Sequence, residues 1–90
     1  MALRPDLPDA HYSLGIVLMN RTNVVQAEQA FLAALRLAPG HYKARNNASL
    51  CALRLGRLED AAAQFQEALR LHPGDAIAQA NLDLVLKMRR

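Results

Sequence analysis

Tryptophan is absent from this 90-residue chain, and its aromatic residues stop at Tyr12, Phe31, Tyr42 and Phe65. A core built from it must rest on small and aliphatic side chains. One cysteine, Cys51, excludes an internal disulfide. It stands among Leu50, Ala52 and Leu53, where burial as a small apolar residue is expected. A nucleophile would want a histidine and a third orienting group, and the sequence pairs none with it. No apolar run approaches the roughly 20 residues that a membrane span needs; the longest is 14–19. The start, broken by Pro5 and Pro8, does not read as a secretory signal. A soluble chain is expected, cytoplasmic rather than secreted.

Further absences narrow the chemistry. There is no G-x-x-x-x-G-K, which excludes a phosphate loop. His11, His41 and His72 have no ligand-like spacing, so no metal is expected. His41 and His72 fall in or beside turns, where solvent exposure is the ordinary reading. The net charge of +3 is mild and the basic residues form no run. Lys87, Arg89 and Arg90 read as cations favoured at a helix C-terminus, not as a nucleic-acid surface. No catalytic group and no cofactor are expected.

What the chain has is helix-forming residues and a repeat. Ala, Leu, Gln, Glu and Arg dominate, and β-branched residues are few. Slid against itself by 34 residues, the chain aligns Ala27 with Ala61 and Phe31 with Phe65. Ala34-Leu35-Arg36-Leu37 meets Ala68-Leu69-Arg70-Leu71, and Pro39-Gly40 meets Pro73-Gly74. Low complexity supplies scattered Ala and Leu matches; it does not also align Phe, Arg, Pro and Gly in one register. A period of this length signals a stacked array.

Each unit reads as two helices. The first runs from about 9 to 21, with Asn23 and Gln26 as a capping-box variant after the break at Thr22-Asn23. The second runs from about 24 to 37 and stops before Pro39. Unit two repeats this at about 43–55 and 58–71, with Gly56 as a left-handed stop. Asp75 caps a fifth helix over about 76–87. Ala27, Phe31, Ala34 and Leu35 share one helical face, as do Ala61, Phe65, Ala68 and Leu69. Such alanines let a partner helix come close, and Gly15 and Ser49, one period apart, are the small residues expected to face them.

This pattern resembles the tetratricopeptide repeat family, whose 34-residue helix–turn–helix unit carries a Leu-Gly pair, an Ala, an aromatic, an Ala-Leu pair and a Pro. Leu14-Gly15, Ala27, Phe31, Ala34-Leu35 and Pro39 carry the resemblance in the first unit. Gly56, Ala61, Phe65, Ala68-Leu69 and Pro73 carry it in the second. His11 and Arg45 stand where an aromatic is expected, and Ala48-Ser49 replaces the second Leu-Gly. The resemblance implies an all-α solenoid of antiparallel helix pairs: two repeats, 8–41 and 42–75, and a C-terminal capping helix over 76–90, five helices in one domain. Leu3 and Pro5 lie one period before Leu37 and Pro39, so residues 1–7 read as the tail of an earlier repeat. Asp83, in the slot of Gly15 and Ser49, with Gln79 on the same face, suits a solvated terminal helix.

In that family the first helices line a concave groove where partners bind. The face opposite the packing stripe carries Tyr12, Ser13 and Ile16 in the first helix. It carries Lys43, Asn46, Asn47, Leu50 and Arg54 in the third, and Asn81 and Leu84 in the fifth. Ser13, Asn47 and Asn81 form a polar row whose amides suit an extended peptide backbone. Ile16, Met19, Leu50, Leu53, Leu84 and Met88 are expected to form an apolar floor. A subset of the family grips a C-terminal carboxylate with a Lys/Asn pair, an Asn and a Lys/Arg pair, of which only Asn47 survives here. The expected function is non-catalytic binding of a partner's peptide or helix, as a scaffold or adaptor. Alternatives are a substrate-selecting arm of a larger enzyme, such as a glycosyltransferase, and an assembly subunit that self-associates through its open N-terminal face.

Overall fold

The computed structural model describes residues 7–89. Five helices follow one another: α1 (Pro8–Asn20), α2 (Val24–Leu37), α3 (Tyr42–Arg54), α4 (Leu58–Leu71) and α5 (Ala76–Met88). No strand occurs among the described residues. Connections of three or four residues leave successive helices antiparallel neighbours. Each helix packs on the one before it and the one after it, and the array is elongated, 44 × 26 × 17 Å.

The starts and stops have local causes, and they repeat. α1 begins at Pro8, whose missing N–H is no loss in a first turn. The turns after α1 and α3 each need one left-handed residue: Thr22 at φ 62° and, one period on, Gly56 at φ 82°. Gly adopts this freely; Thr does so under strain. Asp75 caps α5, its carboxylate accepting from Ile77 N–H (3.0 Å) and Ala78 N–H (3.1 Å). One period earlier the cap of α3 is His41, whose Nδ1 accepts from Ala44 N–H at 3.1 Å. His41 is therefore not a free turn histidine: Nε2 faces Asp9 Oδ1 at 3.1 Å and the side chain is only 16% exposed. The expected Asn23 cap also fails. Asn23 holds the N-cap position of α2 without a side-chain hydrogen bond, its backbone at φ −84°, ψ 68°.

Two apolar clusters hold the helices together. Ala27, Phe31, Ala34 and Leu35 of α2 pack with Ala44, Ala48 and Cys51 of α3. Ala52 of α3 joins Ala61, Ala62, Phe65 and Ala68 of α4 and Ala78, Leu82 and Val85 of α5. Phe31 and Phe65 are both fully buried. Gly15 meets α2 as expected, since a Cβ built on it would lie 2.5 Å from Phe31 Cε1, and Ser49, one period on, is likewise buried. Cys51 is fully buried, and desolvation, then the Glu28 carboxylate, pushes its thiol up to about 11. It is a core residue. Across the outer side, Glu28 of α2 accepts both of its hydrogen bonds from Arg57 Nη2 at 2.5 Å, tying α2 to the turn between α3 and α4.

Candidate functional site

α1, α3 and α5 run parallel on one side of the array, so their corresponding positions form rows. Residues 43, 47, 50 and 54 share one face of α3, at the i, i+4, i+7, i+11 spacing. The same face of α5 carries Ile77, Asn81, Leu84 and Met88, and that of α1 carries Asp9, Ser13, Ile16 and Asn20. The rows across the helices are thus Ser13–Asn47–Asn81 and Ile16–Leu50–Leu84.

Near the N-terminal ends of these helices lies an open cleft of about 390 Å³. Tyr12, Lys43, Asn46, Asn47, Leu50 and Asn81 line it, six of the ten residues that sequence reasoning placed on the groove. Tyr42, His72, Asp75 and Ile77 complete it, with Gly74 and Ala76. Ser13, Ile16, Arg54 and Leu84 lie outside it. Ser13 is exposed on α1 and Arg54 farther along α3, and Leu84 is 48% exposed on α5. Ile16 is half-buried against the first apolar cluster. The floor differs accordingly from the expected one. Met19, Leu50 and Leu53 are partly buried against the two clusters, while Ile77, Leu84 and Met88 of α5 stand open.

The polar groups of the cleft are unevenly used. Asn47 Nδ2 donates to Lys43 O at 3.0 Å and reaches Tyr12 Oη at 3.5 Å. Asn46 Nδ2 donates to Asp75 Oδ2 at 2.5 Å, while its Oδ1 is buried without a donor. Asn81 makes no hydrogen bond among the described residues, so its amide faces the cleft with all its capacity free. Burial alone would raise the Asp75 carboxyl; hydrogen bonds from Ala78 N–H, Asn46 and Ile77 N–H outweigh it and hold it below the ordinary carboxylate range. Asp75 is thus a satisfied anion and not a free one.

Three ring contacts hold the aromatic side chains that wall the cleft. The Tyr42 and His72 rings stack at 4.2 Å and 16°, and Tyr12 lies between Phe31 (5.8 Å) and His41 (5.0 Å). Tyr42 and His72 escaped the sequence reading because neither falls on the first-helix stripe. Tyr42 opens α3, and His72 follows α4 in the turn. A signal was available in the turn positions, which come together where α3 and α5 begin.

Comparison with known proteins adds the family. A family model described as the tetratricopeptide repeat matches residues 2–42 and, in an overlapping placement, 12–76. The peroxisomal targeting signal receptor of Eremothecium gossypii is 31% identical over 80 residues, covering 89% of this chain and 14% of that protein. The chain thus spans a small part of the curated relative that it matches. Among solved structures, the Arabidopsis OM64 TPR domain superposes with a TM-score of 0.87 at 23% identity, over 90% of this chain and 67% of that one. The second TPR domain of human RPAP3, solved in complex with the HSP70 peptide SGPTIEEVD, superposes with a TM-score of 0.84 at 22% identity, over 88% and 66%. At these identities the two structures speak to the fold.

Proposed function

The chain belongs to the tetratricopeptide repeat family, and from that premise we propose that it is a non-catalytic interaction module holding a peptide or helix of a protein partner on its concave side. The observation that carries this is the open cleft of about 390 Å³, with a free Asn81 amide beside exposed Ile77. An amide donates and accepts at once, as a peptide backbone requires. Apolar side chains on either side of it supply affinity that the amides alone do not. A related repeat array has been solved with a peptide, and the E. gossypii relative is a targeting-signal receptor by its name; both support the same reading.

The repeat divisions 8–41 and 42–75, with 76–90 as a cap, belong to this proposal. So does the binding role of Tyr12, Ser13, Ile16, Lys43, Asn46, Asn47, Leu50, Arg54, Asn81 and Leu84. The C-terminal carboxylate grip of some family members is not part of it, because Tyr12, Ile16, Ile77 and Asn81 replace its cationic and amide pairs.

Peptides selected on the immobilised protein from a random display library test the proposal. Their binding should fall at least about tenfold, or 1.4 kcal/mol, in Asn47→Ala/Ile77→Asp with helicity by circular dichroism unchanged. Selected peptides that bind this variant as well as the parent would remove the cleft as the site.

A further inference from the structure

α1, α3 and α5 supply most of the cleft, yet they pack on α2 and α4 and scarcely on one another. Polar and ring contacts at the helix starts join each of them to the next, and the N-cap residues make these contacts. Asp75 divides its carboxylate: Oδ1 accepts from Ile77 N–H and Ala78 N–H, and Oδ2 accepts from Asn46 Nδ2 of α3 at 2.5 Å. His41, one period earlier, divides its ring in the same way. Nδ1 accepts from Ala44 N–H, while Nε2 turns back to α1, 3.1 Å from Asp9 Oδ1, and the ring centroid lies 5.0 Å from that of Tyr12. Tyr12 and Asn46 are themselves one period apart. Both repeats thus use the same two positions, with different chemistry, to tie a helix start to the cleft helix before it. α3 has a second hold on the turn before α5. Tyr42, four residues before Asn46 and so on the same face, stacks on His72. Two points of attachment fix an orientation, whereas one leaves a pivot.

We propose that the cap residues His41 and Asp75 are positioning residues for the cleft: one polar atom starts the residue's own helix, and the second sets how that helix stands against the cleft helix before it. The consequence for binding rests on the interaction-module reading; the positioning role does not. The position calls for a planar side chain whose two polar atoms point apart. Serine caps a helix about as well as aspartate, but its single oxygen is spent on the cap and its arm is too short to reach α3. Asparagine retains both functions. Its oxygen accepts from the N–H groups, and its amide N–H donates to Asn46 Oδ1, which is buried without a donor in the parent, once the Asn46 amide turns over. Charge at position 75 is therefore dispensable for positioning, and the fork is not.

Residual dipolar couplings of the backbone amides report the orientation of α5 against α3 with no ligand present. Asp75→Ser should turn α5 against α3 while helicity by circular dichroism stays at the parent level, and Asp75→Asn should keep the parent orientation. Asn46→Leu removes the other end of the bond and leaves the cap intact, so it should turn α5 as Asp75→Ser does. Peptides selected on the parent should bind Asp75→Ser at least about threefold more weakly and regain parent affinity in Asp75→Asn. Parent couplings in both Asp75→Ser and Asn46→Leu would overturn the proposal. So would equal loss of binding in Asp75→Ser and Asp75→Asn with α5 unmoved, which would mark a direct contact between the peptide and the charge. A turned α5 with unchanged peptide affinity would uphold the positioning role and remove the cleft as the binding site.

Discussion

A methyl group added at Gly15 would stand 2.5 Å from Cε1 of Phe31, a ring with no exposed surface and no room to retreat. Alanine is the better helix former by about 1 kcal/mol, yet overpacking a core costs about 1–3 kcal/mol, so the clash wins. Gly15→Ala should lower the urea midpoint, with a net loss of about 1 kcal/mol. Thr22 presents the opposite case. Its φ of 62° is one that a β-branched residue adopts at a cost of about 1–2 kcal/mol, and glycine has no such penalty. Glycine loses more backbone entropy on folding, and the Thr22 Oγ1 hydrogen bond to Arg21 O disappears, so Thr22→Gly should gain only about 0.5 kcal/mol in the same denaturation. Asp75 gives a pH signature. Its carboxyl is depressed in the folded chain, so its contribution is complete above the unfolded value and is lost as pH falls through the folded one. Asp75→Ala should cost about 1 kcal/mol at neutral pH. Its loss of stability on acidification should be shallower than that of the parent, measured as urea midpoint against pH. None of these three outcomes is visible in a residue's identity alone. The repeat register marks positions 41 and 75 as equivalent and the sequence marks Asp75 as a cap, yet only the fold shows that a histidine fills the cap at 41.

One face recurs on three helices with different outcomes. Ala44, Ala48 and Cys51 of α3 bury against α2, and Ala78, Leu82 and Val85 of α5 bury against α4. The same three positions of α1 are Ala10, Leu14 and Val17, which no described helix covers; Leu14 is 36% exposed and Val17 47%. Leu82→Gln should therefore cost about 2–3 kcal/mol, because it deletes buried aliphatic surface and buries an amide without a partner. Leu14→Gln, the same change at the same repeat position, should stay within about 0.5 kcal/mol. Paired urea titrations check the difference, and equal losses would mean that the face of α1 is covered after all. Helix positions were legible in the sequence at this scale. α2 and α4 fall where the Ala-Phe-Ala-Leu stripe, the breaks at Thr22-Asn23 and Gly56, and the two prolines put them. The first helices were less legible, since Ala48-Ser49 and the missing aromatics blur their stripe, and the observed starts of α1 and α3 precede the expected ones by one residue.

The array as a whole is 44 Å long and 17 Å thick, and every helix leans on its sequence neighbours. In such a stack stability is a sum of local and neighbour contributions, so the ends open first. Amide exchange should be fastest in α1 and slowest in α3, the one helix whose side chains enter both apolar clusters. Protection of α1 equal to that of α3 would count against this picture. The sequence by itself determined the helix count, the 34-residue period and the buried stripe, because each follows from spacing along one chain and needs no knowledge of neighbours. Only the tertiary structure decided which first-helix residues meet in a cleft, that His41 caps while Asn23 does not, and that Ile16 and Leu50 lean into the core while Leu84 stays open. Those outcomes depend on distances between helices, and a repeat read along the chain fixes the order of its faces without fixing what stands opposite each of them.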